Sequence, residues 1–234
     1  LATLVAPLLL AAGGCSSIVG DSPAPAWHSL VASAAADAPT ASSPEAPAAT
    51  LRSSAITTLA TLAVARISVP DEVDRQPLVL SDGGARRLLD GQRWIEPLKT
   101  QLPRALALAL AAQVPGLQTS AFPAASPDAA RRLLVDVQRF ELVTGAADAG
   151  SRAMRPHAQL RVLWALRDGV PADAATGAVA SASLAPTAPM QLFDIAVPAA
   201  DASPRALRAA MREALRLLAQ QVGAALSQPS RTRQ

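Results

Sequence analysis

The most regular alternation of apolar and polar positions lies at residues 157–167, which are predicted to form a β-strand with one buried face. The residues expected on that face are Leu160, Val162, Trp164 and Leu166. A weaker alternation of small residues at 174–185 predicts a hairpin partner for this strand. Such a pair would place one face of a sheet against the core and the other face in water.

The period of two is interrupted within a second predicted strand, residues 131–143. Apolar residues alternate with polar ones as far as Val137, whereas Phe140 and Leu142 fall out of step. The interruption predicts either a β-bulge near Arg139 or a strand whose far end is buried on both faces. The pattern alone does not separate these two alternatives.

Shorter apolar runs between turn-forming residues predict the remaining strands. Residues 76–81 and 85–89 flank the sequence Asp82-Gly83-Gly84, which is typical of a tight hairpin because glycine adopts positive φ without strain. The other predicted strands cover residues 27–31, 59–69 and 117–122. The strand at 59–69 carries apolar residues on both faces, as a central strand would, and Pro70 should end it.

Apolar residues that recur every three or four positions predict two α-helices. In the first helix Asp90 is expected to be the N-cap, and the apolar face runs from Ile95 to Leu110. Pro103 should kink this helix or mark its true start, because proline lacks a backbone N–H.

The second predicted helix begins with Ser203 as N-cap and Pro204 at the first helical position. Its apolar face extends to Leu226. Its opposite face is expected to be solvated, with anionic lipid head groups as an alternative partner. That face carries Arg205, Arg208, Arg212 and Arg216. Together the patterns predict an α+β fold, with a mainly antiparallel sheet and two long helices packed on one face.

Residues 1–14 are apolar and end in small residues directly before Cys15, the only cysteine. This pattern is typical of a lipoprotein signal peptide and resembles the bacterial lipobox, although Ala12 stands where the lipobox usually has leucine. Cys15 is therefore expected to carry covalent lipid, which at about 0.8 kcal/mol per buried methylene holds a chain firmly to a membrane. Ser16 follows where aspartate would favour retention at the inner membrane, so the resemblance points to the outer membrane.

The rest of the chain divides by composition into a tether, one folded domain and a tail. Residues 15–26 are rich in Ser, Gly and Pro, as flexible tethers are. Residues 27–228 are apolar enough to form a single periplasmic α+β domain. Within it, residues 33–57 contain few large apolar side chains and are predicted to be a disordered loop. A disordered tail is expected at 229–234.

Composition gives little support for catalysis, metal binding or nucleic-acid binding. The formal net charge is +3, but the basic residues are scattered among 18 acids and are not interleaved with aromatic residues. The two histidines, His28 and His157, are far apart in sequence and belong to no recognisable catalytic motif. The clustered acids Asp71, Glu72 and Asp74 are expected to be solvated in a turn. We expect no catalytic residue, no metal site and no cofactor besides the lipid on Cys15.

Three short motifs resemble the PqiC family of transport auxiliary lipoproteins. They are Ile67-Ser68-Val69-Pro70, Val73-Asp74-Arg75-Gln76-Pro77-Leu78-Val79 and Arg93-Trp94-Ile95-Glu96-Pro97-Leu98. Trp27 stands where the family tends to have tyrosine. The residues that match the family pattern, called the motif residues below, are Pro70, Asp74, Arg75, Gln76, Trp94 and Glu96. The resemblance leaves open whether they shape the fold or contact a partner.

The resemblance implies an outer-membrane lipoprotein on the periplasmic face, serving an intermembrane lipid-transport system built on mammalian-cell-entry (MCE) domain proteins. Its role would be docking or binding without catalysis. The implied partner is an MCE-domain protein, and lipid and further copies of the chain are additional candidates. An assembly or chaperone lipoprotein for an outer-membrane complex is the alternative. No nucleic-acid partner is expected.

Overall fold

The computed structural model describes residues 24–31, 60–82, 84–145, 155–168 and 189–227. Within these ranges the chain forms eight strands and two helices. In chain order they are β1 (Ala26–His28), β2 (Thr61–Val64), β3 (Pro77–Asp82), β4 (Ala85–Trp94), α1 (Leu98–Gln113), β5 (Gln118–Ala121), β6 (Arg131–Val143), β7 (His157–Asp168), β8 (Gln191–Pro198) and α2 (Pro204–Leu226). The predicted signal peptide, Cys15, the loop at 33–57, the strand at 174–185 and the tail at 229–234 lie outside the described residues.

The sheet is organised around β6. One edge of β6 pairs along its length with β7, and β8 pairs with the other edge of β7. The opposite edge of β6 is shared by two strands, because β2 pairs near Leu133 and β3 pairs near Leu142. β5 continues from β2, and β4 followed by β1 continues from β3. Three arms of the sheet, β2–β5, β3–β4–β1 and β7–β8, therefore meet at β6.

The prediction of a mainly antiparallel sheet is wrong, because the sheet is mixed. Four of its seven strand pairings are parallel: β1 with β4, β2 with β5, β2 with β6 and β3 with β6. Alternation of apolar and polar residues indicates which face of a strand is buried, but not the direction of its neighbours. The parallel partners are also separated by other elements, as β2 and β5 are by β3, β4 and α1, so no turn sequence indicates them.

The long strand β6 has the bounds that its sequence predicts, and it contains a bulge. The pairing of β6 with β7 shifts register between Val137 and Arg139, which decides between the two alternatives in favour of the bulge. After the shift, Phe140 pairs with Leu160, and both side chains are buried. The extra residue thus returns the apolar side chains of β6 to the core face.

Two other strand predictions need correction. The predicted strand at 59–69 is shorter, since β2 ends at Val64. Beyond it the Ala65 N–H donates to the carbonyl oxygen of Leu133, and Ser68 forms an isolated bridge to Asp136. The edge of β7 is occupied by β8, which the sequence pattern did not predict. Phe193, Ile195 and Val197 alternate with Asp194 and Ala196, so the sequence does contain a period of two for this strand, although only Phe193 is fully buried.

The prediction that α1 follows an N-cap at Asp90 is also wrong. Asp90 lies inside β4, and Ile95, which was expected on the apolar helical face, precedes the helix and is 59% exposed. Pro103 lies within α1 and does not mark its start. The backbone of β4 pairs with both β3 and β1, and these tertiary contacts override a local spacing that resembles a helix.

Both helices contribute to one hydrophobic core with the inner face of the sheet. The N-terminus of α2 is as predicted, because the Ser203 hydroxyl accepts a hydrogen bond from the Ala206 backbone N–H at 3.2 Å and Pro204 is the first helical residue. Fully or almost fully buried side chains of this core include Leu102, Leu106, Leu160, Val162, Trp164, Leu207, Met211 and Val222. The hairpin of β3 and β4 also forms as predicted.

Candidate functional site

The motif residues come together where β4 ends and α1 begins. The backbone N–H of Trp94 donates to the carbonyl oxygen of Gln76 at 2.7 Å, which joins the end of β4 to the turn before β3. The carbonyl oxygen of Pro70 closes that turn by accepting from the backbone N–H groups of Val73 and Asp74, each at 3.1 Å. Two motif segments that are separated in sequence therefore form one local structure.

Asp74 caps α1 from outside the helix. Pro97, at the N-cap position, makes no capping hydrogen bond with its side chain. Oδ1 of Asp74 instead accepts from the backbone N–H of Lys99 at 3.2 Å, and Oδ2 lies 2.9 Å from Nζ of the same lysine. The Asp74 side chain is 4% exposed, so its charge is balanced by Lys99 and by the partial positive charge of the helix N-terminus.

Two neighbouring motif residues, Arg75 and Gln76, are exposed. The Oε1 atom of Gln76 accepts a hydrogen bond of 3.0 Å from the guanidinium group of Arg93. Arg75 makes no hydrogen bond or ion pair with the part of the chain that the structure describes. This side of the turn therefore presents two guanidinium groups that form no ion pair with a described carboxylate.

The last two motif residues lie at the junction of sheet and helix. Trp94 is 2% exposed and packs edge-on against Phe140 of β6, with the ring centroids 6.3 Å apart. Glu96 is half-buried, and its Oε2 atom lies 3.0 Å from Nη1 of Arg104 on α1. Trp94 thus anchors the end of β4 in the core, while Glu96 links the following bend to α1.

Gln101 is an important residue of this site that the sequence did not single out. It is 1% exposed, and its Oε1 atom accepts a hydrogen bond from the backbone N–H of Leu30 at 2.9 Å. Its Nε2 atom donates to the carbonyl oxygen of Glu96 at 2.6 Å. The only signal in the sequence is its place between Leu98 and Leu102 on the apolar side of the helix. A polar side chain there needs internal partners.

An apolar cleft lies beside this junction. Its volume is about 440 Å³, and its walls include Val31, Ile95 and Leu108, with Glu96 and Arg104 among its polar residues. A second cleft of about 330 Å³ also borders Val31 and Leu108 and reaches α2. The surface around the end of β1 and the outer side of α1 is therefore concave and partly apolar.

The acids that follow Pro70 are not all solvated, contrary to expectation. Asp74 is buried in its ion pair, whereas Asp71 is exposed. Glu72 forms an ion pair with Arg86, and Glu141 lies 3.7 Å from the same guanidinium. The hydrogen bond with Glu72 raises the pKa of Arg86. Among the described residues, no group of three His, Cys, Asp or Glu side chains is arranged to hold a metal ion.

The two histidines make contacts at the ends of strands. Nε2 of His28 lies 2.5 Å from Oε1 of Gln92, across the parallel pairing of β1 with β4. Nδ1 of His157 lies 2.9 Å from the carbonyl oxygen of Arg155, at the start of β7. The histidines are therefore placed in separate parts of the sheet.

The arginine face of α2 is only partly solvated. Arg205 is exposed, whereas Arg208 is half-buried and donates to the carbonyl oxygen of Ser29 at 3.3 Å. Arg216 forms an ion pair with Glu213 at 2.6 Å. Their hydrogen bond lowers the pKa of Glu213 and raises that of Arg216. The contact of Arg208 ties α2 to the chain directly after β1.

The predicted site of lipid attachment, Cys15, lies outside the described residues, so its acylation stays a prediction. The described chain starts at Ala24, two residues before β1. Neither described helix combines the length and the apolar character that a bilayer-spanning helix needs.

Comparison with known proteins adds a family and a fold. The family model described as ABC-type transport auxiliary lipoprotein component matches residues 42–223. No curated protein matches the chain. The crystal structure of protein XCC0632 from Xanthomonas campestris is 18% identical, with a TM-score of 0.51 over 71% of this chain and 82% of that chain. A crystal structure of an uncharacterized protein is 16% identical, with a TM-score of 0.53 over 71% and 92% of the respective chains. At these identities the two structures support the fold alone.

Proposed function

Because the chain belongs to the family of ABC-type transport auxiliary lipoprotein components, we propose that it is the outer-membrane lipoprotein subunit of an MCE-type intermembrane lipid-transport system. The observation that carries the proposal is the family match over residues 42–223, which includes every strand from β2 to β8. Lipid on Cys15 would hold the chain on the periplasmic face of the outer membrane. The folded domain would then bind an MCE-domain protein of the same system.

The contacts of the two motif carboxylates support a structural role for them and not a catalytic one. Asp74 and Glu96 are each paired with a basic residue of α1, and Asp74 is almost fully buried. A general acid or base has to reach a proton of the substrate within hydrogen-bond distance. These carboxylates are instead used to fix α1 against the turn and the end of β4.

Co-purification tests the proposed partnership. The full chain would carry an affinity tag at its C-terminus, be extracted from bacterial membranes in mild detergent, and be analysed by mass spectrometry for proteins and lipids. We expect an MCE-domain protein among the captured proteins. Capture of neither an MCE-domain protein nor lipid would contradict the proposal. Capture of an outer-membrane assembly complex instead would support the alternative role in assembly.

Membrane fractionation tests the proposed anchor and its location. Wild-type protein should incorporate labelled palmitate and sediment with the outer membrane, because the acyl chains on Cys15 bind the bilayer strongly. The Cys15→Ser variant should be released as a folded protein into the periplasm. A wild-type chain that takes up no palmitate would contradict the anchor, and sedimentation with the inner membrane would contradict the location.

A further inference from the structure

Three of the six large apolar side chains that are exposed in the described residues lie on β1, directly after β4 and in the second half of α1. They are Trp27 (52% exposed), Ile95 (59%) and Leu108 (54%). Single exposed apolar residues are ordinary on protein surfaces, whereas a group of them marks an interaction site. The grouping therefore needs a partner that accepts apolar side chains.

Strand register places Trp27 and Ile95 close together. In the parallel pairing of β1 with β4, Trp27 lies opposite Arg93, and His28 lies opposite the buried Trp94. The backbone N–H of Ile95 continues this pairing by donating to the carbonyl oxygen of His28 at 2.9 Å. Side chains alternate between the two faces of a strand, so Trp27 and Arg93 lie on the face opposite to Trp94. Ile95 follows directly after the end of β4, beside the last residue of β1.

Leu108 joins this group through the cleft of about 440 Å³, because Ile95 and Leu108 both line it. Basic residues complete the surface. Arg93, next to Trp27, is hydrogen-bonded to the neutral side chain of Gln76, and Arg75 is exposed beside that glutamine. We call Trp27, Ile95, Leu108, Arg75 and Arg93 the β1 surface. It combines apolar side chains with two arginines that form no ion pair with a described carboxylate.

We propose that the β1 surface rests on the anionic phospholipid bilayer to which the chain is anchored, with the Trp27 ring at the level of the lipid head groups. The proposal rests on the proposed function, because it requires lipid on Cys15. Eleven peptide units separate Cys15 from Ala26, the first residue of β1. Fully extended, they reach at most about 40 Å. The part of the folded domain that follows the tether most closely is thus the part with the exposed tryptophan.

The chemistry of the β1 surface fits a bilayer interface. Tryptophan is enriched where membranes meet water, since its ring is largely apolar and its N–H can stay hydrated. A basic residue near an anionic membrane contributes about 1 kcal/mol of attraction. The acyl anchor already holds the domain at the bilayer and so removes the entropic cost of association. The modest contributions of the tryptophan and the basic residues therefore need only orient the domain.

Tryptophan fluorescence can test this orientation, because the chain contains three tryptophans and the other two are buried: Trp94 is 2% and Trp164 0% exposed. The lipidated full-length protein would be reconstituted into vesicles of phosphatidylethanolamine and phosphatidylglycerol whose acyl chains carry bromine, a contact quencher. We expect bromine to quench part of the wild-type emission. The Trp27→Phe variant, which keeps only the two buried tryptophans, should show no such quenching. Replacing phosphatidylglycerol with phosphatidylcholine, or changing Arg75 and Arg93 to glutamine, should reduce the quenching.

Two reporters in the Trp27→Phe background provide a matched control. Ile95→Trp places a tryptophan on the β1 surface, and Leu192→Trp places one on β8, where Leu192 is 49% exposed. β8 and β1 lie at opposite edges, five strand spacings apart through β7, β6, β3 and β4, which is about 24 Å. We expect the reporter at position 95 to be quenched and the reporter at position 192 to remain unquenched.

The outcomes separate this inference from the proposed function. Equal quenching at positions 95 and 192, or no quenching of Trp27 in protein that floats with the vesicles, would overturn the orientation and leave the anchored subunit intact. A chain without acyl groups on Cys15, shown by mass spectrometry of its N-terminal peptide, would overturn the anchor and the orientation together.

Discussion

Two regions of this protein each contain a buried tryptophan, but one tryptophan has apolar surroundings and the other lies near polar contacts. In the region formed by β6, β7 and α2, called the ladder region below, Trp164 is fully buried among apolar side chains of a long antiparallel pair and a helix. In the junction region, formed by β1, the end of β4 and the start of α1, Trp94 is buried next to the polar contacts of Asp74 and Gln101. The ladder region builds the core, whereas the junction region fixes the position of an exposed surface.

The largest expected effect tests the ladder region. Replacing the fully buried Trp164 with alanine should lower the free energy of unfolding by about 3–5 kcal/mol, because it removes apolar burial and leaves a cavity. Urea denaturation followed by circular dichroism measures the change. Trp27→Ala is the control, and because about half of the Trp27 side chain is exposed it should lower the stability clearly less than Trp164→Ala does. Equal losses in both variants would contradict this division of the molecule.

A smaller effect is expected from the buried amide of the junction region. Gln101→Leu removes the partners of the Leu30 N–H and the Glu96 carbonyl, and an unsatisfied buried group costs about 1–3 kcal/mol. Hydrogen exchange should show faster exchange of the Leu30 amide, in addition to the lower stability. Gln113→Leu, near the end of the same helix, is the matched control. An unchanged exchange rate at Leu30 would show that Gln101 does not hold β1 in place.

The cap that Asp74 provides should contribute still less. Asp74→Ala leaves the Lys99 N–H without its acceptor, and the loss of a capping side chain typically costs about 1 kcal/mol. Thermal denaturation measures it, with the exposed Asp71→Ala as the control. A double-mutant cycle with Lys99→Ala would separate the ion pair from the cap. If Asp71→Ala lowered Tm as much as Asp74→Ala, the loss of stability would come from the change in net charge and not from the contact between Asp74 and α1.

The smallest effect concerns the surface ion pair on α2. Because the hydrogen bond from Arg216 lowers the pKa of Glu213 below 4.5, the pair stabilises the protein above that pH and loses its effect as the pH falls through the lowered value. The contribution at neutral pH should be small, since the pair is exposed. Glu213→Gln should therefore lower Tm slightly at pH 7 and leave it unchanged in strong acid. A constant difference across that range would contradict an ionic origin.

Local sequence signals predicted the ladder region well and the junction region poorly. The bounds of β6 and the N-cap of α2 follow from residues adjacent in sequence, and the bulge at Arg139 was one of two readings of a visible break in pattern. The parallel pairings, the extension of β4 through Asp90 and the buried position of Gln101 depend on contacts between distant segments. Apolar spacing carries no information about such contacts.

The candidate site likewise combines features that the sequence indicated with features that depend on contacts between distant segments. The family resemblance selected six motif residues, and the structure brings them together at one junction. The resemblance could not indicate that Asp74 caps a helix from another segment, because its acceptor role depends on where Lys99 lies in space. It also gave no weight to Ile95, whose exposure becomes informative only beside Trp27.

The position of β6 at the meeting point of three arms has a consequence for the order of folding. Synthesis delivers residues 26–121 before the strand at 131–143, so the segments of the β3–β4–β1 arm and the β2–β5 arm are made before the strand that joins them. Pairings between distant segments form slowly, and open strand edges favour association with other chains. A chain interrupted before Arg131 would carry two separate pieces of sheet with open edges. The native topology can therefore be completed only after β6 has been synthesised.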